Sequence, residues 1–410
     1  MKNNFQAGSF ELSSPRDGAQ TSGFRERMVT KMNVAVIGTS QKENEKRVAI
    51  HPEHLKTLPE RMRRQLFFEK GYGLPFGMDD GKIEDLTGNR PAKREELLNH
   101  SPAVLMPKPV ESDLRAMKEG AVLWGWVHSV QQYGIAQAAI DRKLTLVAWE
   151  RMYSRDGRGK THVFQKNNEM AGYCSVQHAL QLRGIDGNFG RERRAAVLSF
   201  GSVSRGAVYA LQNHGFHDIT VFTRRPVHLI SDRLPGVRYR RILCRPDGGF
   251  TVEKPDGAAL LADELSKSDI IVNGILQDIK NPAVFITDAD IPKFRKECLI
   301  IDVSCDREMG FSFARPTDFS SPLRRIGNIL YYSVDHTPTL LWDSASWEIS
   351  GSLLPYLDAF IEEKRDEVLD NAVDIRDGII VNKDILAVQH RSPIFPYSVE
   401  KPEKRDRSMG

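Results

Sequence analysis

Residues 195–225 read A-A-V-L-S-F-G-S-V-S-R-G-A-V-Y-A-L-Q-N-H-G-F-H-D-I-T-V-F-T-R-R. A short apolar run, Ala195 to Leu198, meets small residues at Ser199, Gly201, Ser204 and Gly206. A helical pattern with Val208 and Leu211 follows, Gly215 breaks it, and a β-rich run spans Ile219 to Phe222. That order predicts strand, tight turn, helix and parallel strand, the first half of a dinucleotide-binding unit. The turn needs small residues because its backbone must approach a pyrophosphate whose charge rests on amides at the helix N-terminus. Of the three fingerprint positions, Ser199, Gly201 and Ser204, only the middle one is glycine, so the spacing by itself also suits a generic α/β turn. Serine is still small, and its hydroxyl can donate to phosphate. Ser199, Gly201, Ser202, Val203 and Ser204 are the expected contacts of this turn.

About twenty residues past such a turn, an NAD site carries an Asp or Glu on the ribose hydroxyls. Thr223, Arg224 and Arg225 stand there instead. A carboxylate would repel a 2′-phosphate, whereas a hydroxyl and two guanidinium groups bind one, so NADP(H) is the expected cofactor. The bland alternative is that both arginines are solvated surface charges.

With 410 residues, 40% hydrophobic and 27% charged, the chain has room for two domains with cores of their own. A net charge of +4 argues for neither nucleic acid nor membrane as a partner. Arg233, Arg238, Arg240, Arg241 and Arg245 form a local basic patch, read as a solvated face. Cys174, Cys244, Cys298 and Cys305 lack the spacing of a zinc site or a disulfide framework, which points to a reduced, cytoplasmic protein without a metal. Residues 1–31 are polar, without an apolar signal-peptide centre, and read as a disordered leader.

Outward from the central stretch, strands and helices alternate. A strand is expected at Val34 to Gly38, followed by a charged loop holding Arg47, a residue type that clamps carboxylates bidentately. Three further strands close on Lys108 (between Pro107 and Pro109), His128 and Glu150. Ligands gather at the carboxyl ends of strands in open α/β sheets, so these three residues and Arg47 are expected to converge. The tryptophans 124, 126, 149, 342 and 347 read as core or pocket wall. A long helix from Asn167 should join a first domain to the nucleotide domain, where buried strands run from Ser268 to Leu276 and from Cys298 to Asp306. Asn273 and Gly274 on the first of these, and Asp335 in a hinge with His336 and Pro338, complete the expected cofactor contacts; Asp306 is the expected functional acid beside the nicotinamide. A helix from Ser350 to Leu369 should return the chain to the first domain. The fold class is therefore α/β, with two Rossmann-type doubly wound parallel-sheet domains and an interdomain active-site cleft. The expected substrate domain is 32–165 plus 339–389, the NADP-binding domain 166–338, and a proline-rich flexible tail 390–410.

The stretches E-K-R-V-A-I-H-P-E-H (45–54), G-W-V-H (125–128), M-A-G-Y-C-S-V-Q-H-A-L (170–180), V-L-S-F-G-S-V-S-R-G-A (197–207), D-V-S-C-D (302–306), V-D-H-T-P-T-L (334–340) and W-E-I-S-G-S-L-L-P-Y-L (347–357) resemble the alanine dehydrogenase and transhydrogenase α-subunit superfamily. Within it the chain looks most like the secondary-amine dehydrogenases, the N5-(carboxyethyl)ornithine synthases and, more distantly, the saccharopine dehydrogenases. The resemblance implies that Arg47 binds a substrate carboxylate, that Lys108 and His128 are acid/base groups, that Glu150 tunes the lysine, and that Asp306 lies near the nicotinamide. It implies reductive coupling of a 2-oxo acid (pyruvate) to the side-chain amine of ornithine or lysine by a homo-oligomer. Saccharopine formation, an alanine dehydrogenase using ammonia, or a non-catalytic NADPH-binding regulator are the alternatives. Such chemistry is served by two groups titrating near neutrality on opposite sides of the carbonyl, with His128 suited as it stands.

Overall fold

A computed structural model describes residues 32–399 apart from 157–158, 256, 276, 278–281 and 305–307. The expected leader, the last residues of the tail, and Asp306 lie outside the described residues.

Two sheets, of seven and nine strands, organise the described chain. In the first, Val34–Val36 (β1), Leu66–Phe68 (β2), Ala103–Leu105 (β3), Val122–Gly125 (β4) and Thr145–Ala148 (β5) run parallel in the order 2-1-3-4-5. Val373–Arg376 and Ile379–Ile380 extend it antiparallel beyond β5. In the second, Arg194–Leu198 (β6), Asp218–Thr223 (β7), Val237–Cys244 (β8), Ile270–Asn273 (β9), Cys298–Asp302 (β10) and Ile329–Tyr332 (β11) are parallel in the order β8-β7-β6-β9-β10-β11. That is the dinucleotide-fold order, while the first sheet has the flavodoxin-like order. Antiparallel strands cap both edges of the second sheet, so neither sheet is wholly parallel.

The central parallel strands are apolar almost throughout because helices cover both faces, whereas β8, towards one edge, carries three arginines. Val34, Leu105 and Trp124 pack on one side of the first sheet and Ala35, Val104 and Leu123 on the other. Val197, Val221 and Val272 face one layer of the second sheet; Leu198, Phe222 and Ile271 face the opposite one.

Gln165–Arg183 (α1) leads the chain into the second sheet's lobe, Ser202–Asn213 (α2) follows β6, and Trp342–Ile361 (α3) leads back. Helices α1 and α2 cross with almost no separation. A Cβ on Gly206 would stand 1.7 Å from the Glu169 carbonyl oxygen, and one on Gly172 1.8 Å from that of Val203. Only glycine fits there. The return helix begins at Trp342 rather than Ser350 and stops at Ile361, because the 3-10 turn Thr337–Leu341 feeds directly into it.

The tail differs from its expectation. Arg391 is buried, donates to Gln389, Gln137 and the Tyr397 carbonyl, and stacks 4.4 Å over Tyr133. The first part of the segment is thus docked, since an arginine with three acceptors and a ring face anchors its flanks despite their prolines. No helix among the described residues is long and apolar enough to cross a membrane.

Candidate active site

Three adjacent parallel strands of the first lobe each deliver one chemical group at the carboxyl end. Lys108 follows β3, His128 follows β4 and Glu150 follows β5. The turns bearing Lys108 and His128 can touch because Gly125 has no side chain: a Cβ there would meet the Met106 carbonyl oxygen at 2.2 Å. Trp126 N–H donates to the Pro107 carbonyl and locks the two turns together. Lys108 Nζ then lies 2.9 Å from His128 Nε2.

His128 adopts φ +45°, a left-handed conformation that costs a non-glycine residue about 1–3 kcal/mol. Its N–H donates to Glu150 Oε1 at 2.6 Å, and its carbonyl accepts from the N–H groups of Gln131 and Gln132. Burial, then the Lys108 charge, push the imidazole down to about 3, against the pull of Asp335. The ring is therefore neutral and accepts from the Lys108 ammonium. This corrects the expectation that His128 titrates near neutrality, and that the two groups flank a carbonyl from opposite sides. They are one hydrogen-bonded pair on one side.

Glu150 is raised to about 8 by burial and then by the Asp374 charge, so it is protonated at neutral pH. Its carboxyl sits beneath His128, 3.9 Å from Nδ1. The acid nearest Lys108 is Asp335, 4.0 Å away and reached also by Lys42 at 3.6 Å. Burial works to raise the Asp335 carboxyl, but Lys108 and then His336 outweigh it and hold it well below the usual carboxylate range. Asp335, expected as a cofactor contact, faces Lys108, and Glu150, expected to tune the lysine, accepts the His128 N–H and also feels the Lys108 charge.

Arg47 is buried and already paired. Its Nε lies 2.7 Å from Glu45 Oε1, its Nη2 2.5 Å from Oε2, and its Nη1 donates to Asn167 Oδ1 at 3.1 Å. Its guanidinium stacks 4.9 Å over Trp126. Burial pushes Glu45 up, but Arg47 outweighs it and the carboxylate stays ionised.

Opposite stands the central turn. Ser199 takes φ +78°, the conformation a glycine holds without strain. Gly201 caps α2 without any side-chain hydrogen bond, so the first amides of the helix have no capping acceptor. The nearest atom to a Cβ on Gly201 would be 4.0 Å away, leaving the approach open. These features suit a pyrophosphate. Ser204 does not take part: it is buried and donates to the Leu198 carbonyl at 2.9 Å, closing the turn instead.

A cleft of about 520 Å³ joins the two halves, with Arg47, Lys108, His128 and Glu150 on one side, Ser199, Gly201, Ser202, Val203 and Gly274 on the other, and Asp335 at the hinge. Asn273 lies behind it, buried, donating to Asp302 at 3.0 Å and accepting from Ile275 N–H. Thr223, Arg224 and Arg225 stand away from the cleft at the end of β7. Residues 37–171 match the Alanine dehydrogenase/PNT N-terminal domain model and residues 224–388 the C-terminal one. The chain belongs to the alanine dehydrogenase/PNT family. This family member is 28% identical over 323 residues to an N(5)-(carboxyethyl)ornithine synthase from Clostridium botulinum, covering 75% of this chain and 88% of that protein. It is 22% identical over 380 residues to alanine dehydrogenase 1 of Staphylococcus aureus, covering 88% and 97%. A solved L-alanine dehydrogenase shares its fold at a TM-score of 0.65 and 16% identity, over 87% of this chain and 99% of the other. A nicotinamide-dependent oxidoreductase is the class these relations give.

Sequence reading missed several cleft residues. Tyr153 and His162 come from a hairpin, Tyr153–Asp156 with Gly159–His162, whose rings meet edge to face at 4.8 Å. His162 is pushed down to about 4 by burial, so a neutral ring donates to the Glu150 carbonyl. Asn167 sits in the sequence pattern of a helix and Glu45 in a charged loop, and neither pattern marks a site residue. The one local signal was the E-x-R spacing of Glu45 and Arg47, which places both side chains on the same side of an extended segment.

Proposed function

We propose that this protein catalyses NADPH-dependent reductive condensation of a 2-oxo acid, pyruvate in the first instance, with the side-chain amine of ornithine or lysine, giving an N-(carboxyethyl) amino acid. The observation that carries this reading is the Lys108–His128 hydrogen bond, set with Asp335 across the cleft from the open turn at Gly201.

The amine attacks as the free base and forms the C–N bond; the carbonyl oxygen takes one proton to become a hydroxyl and a second to leave as water, while the nitrogen returns one proton to the Lys108–His128 pair. Lys108 is the proton donor to that oxygen. His128 relays the next proton through Nε2, and the neutral Glu150 below keeps the imidazole in place without adding charge. Arg47, tied to Glu45, offers an edge of fixed orientation to the oxo acid's carboxylate beside Trp126. Asp335 faces Lys108 across 4.0 Å. When bound, the reduced nicotinamide supplies the hydride that converts the imine carbon into the product's new centre. The uncapped amides at Ser202 and Val203 would hold its pyrophosphate, and Thr223, Arg224 and Arg225 its 2′-phosphate.

The test is a grid of pyruvate and 2-oxoglutarate against ornithine, lysine and ammonia, with NADPH and NADH oxidation followed in parallel. Oxidation of NADPH with pyruvate plus a diamino acid is expected. Turnover with ammonia alone would make it an alanine dehydrogenase, and turnover with 2-oxoglutarate and lysine a saccharopine-type enzyme. Tight NADPH binding with no turnover on any pair would make it a regulator.

A further inference from the structure

The basic patch on the nucleotide lobe separates into two kinds of arginine. Arg238 pairs with Asp218, Arg240 with Glu264 at 3.0 Å and Arg245 with Asp247 at 2.6 Å. Arg233 donates to the Val227 carbonyl, and Arg205 to that of Asp232 at 2.9 Å. Arg224, Arg225 and Arg241 alone in this patch have no acceptor for their guanidinium groups among the described residues.

These three share one end of two adjacent strands. In the parallel ladder of β7 and β8, Arg241 is in register with Thr223, so both project from the same face of the sheet. Thr223 Oγ1 accepts the Arg225 N–H at 3.2 Å and turns the chain there, while Arg224 lies 5.6 Å over the ring of Phe250. The Nε of Arg241 is buried with no hydrogen-bond partner. A buried donor left unmade is costly, and here the sequence has every opportunity to place a carboxylate beside it, as it does for the neighbouring arginines.

The geometry points to Arg241 as a third guanidinium of the site for the cofactor's 2′-phosphate, a specificity-determining residue contributed by β8 and not by the turn after β7. This rests on the NADPH reading above. A phosphate monoester carries up to two charges and three acceptor oxygens, enough for Arg225, Arg241 and a third donor from Arg224 or Thr223. Arg241 thereby changes from a solvated face to a ligand contact.

The test measures dissociation constants by tryptophan fluorescence on the full chain, for NADPH, NADH, 2′,5′-ADP and 5′-AMP. Arg241→Ala is expected to weaken NADPH and 2′,5′-ADP about 10- to 100-fold while NADH and 5′-AMP change less than twofold. Arg241→Gln, which keeps most of the stem and loses the charge, should show the same selective loss if the alanine variant fails to fold. Equal losses for phosphorylated and unphosphorylated ligands, or no loss for either, overturn the assignment. If NADPH preference disappears in Arg225→Ala but persists in Arg241→Ala, only the role of Arg241 falls. If the unaltered protein binds NADH as tightly as NADPH, the cofactor reading falls with it.

Discussion

Arg47 and Arg225 carry the same guanidinium in opposite circumstances. The first is buried in the substrate lobe, held by both oxygens of Glu45 and by Asn167, and its charge is cancelled before any ligand arrives. The second stands exposed after β7, with no acceptor for its guanidinium among the described residues. The substrate side of the cleft is therefore a finished network: Lys108 has His128 and Asp335, and Glu150 is neutral. Such a network fixes orientation and proton count more than it supplies attraction. The cationic end of β7 and β8 would, on the cofactor reading proposed above, supply attraction and leave its pairing to the ligand.

Substitutions on the two sides should fail in different ways. The largest effect is expected on turnover. Lys108→Ala should lower kcat about 10²- to 10⁴-fold in steady-state assays, with NADPH binding unchanged, since it leaves only a neutral imidazole behind. Retained turnover would mean that the paired network is scaffolding. Next comes Arg47→Ala, which strands the Glu45 carboxylate in a buried site and should cost about 3–5 kcal/mol in urea unfolding. Arg225→Ala should cost less than about 0.5 kcal/mol by the same measurement, because the side chain is exposed and its guanidinium has no acceptor among the described residues.

The pH response sharpens the same contrast. Glu150 moves from 4.5 in the unfolded chain to about 8 in the fold, so the stability it confers is complete below pH 4.5 and is lost as pH rises towards 8. Glu150→Gln, which mimics the protonated carboxyl, should match the parent Tm at pH 4.5 and exceed it at pH 9. A constant gap across that range would mean that Glu150 is ionised throughout. Ser199→Gly should act in the opposite direction: it removes the left-handed strain at φ +78° and should add about 1 kcal/mol in urea unfolding.

Much of the architecture was legible locally. The run from Ala195 to Arg225 gives β6 and β7 to within a residue at each end and places α2 between them, because a buried parallel strand and an amphipathic helix leave short-range periodicities that need no partner to be read. The convergence of Lys108, His128 and Glu150 was legible too, since parallel strands deliver their carboxyl ends to one rim. Their electrostatics were not. His128 looked ready to titrate near neutrality, and its burial beside an ammonium makes it neutral instead. Ser204 looked like a phosphate donor, and a carbonyl six residues earlier claims its hydroxyl.

The chain's own order thus determined which residues stand at the strand ends and that a tight turn of small residues joins β6 to α2. Tertiary structure alone decided who is paired with whom: that Glu45 neutralises Arg47, that Asp335 faces Lys108, and that Arg241 comes into register with Thr223. Periodicity is a property of neighbours along the chain. A proton's affinity depends on burial and on charges brought within a few ångströms by packing, which no stretch of sequence contains by itself.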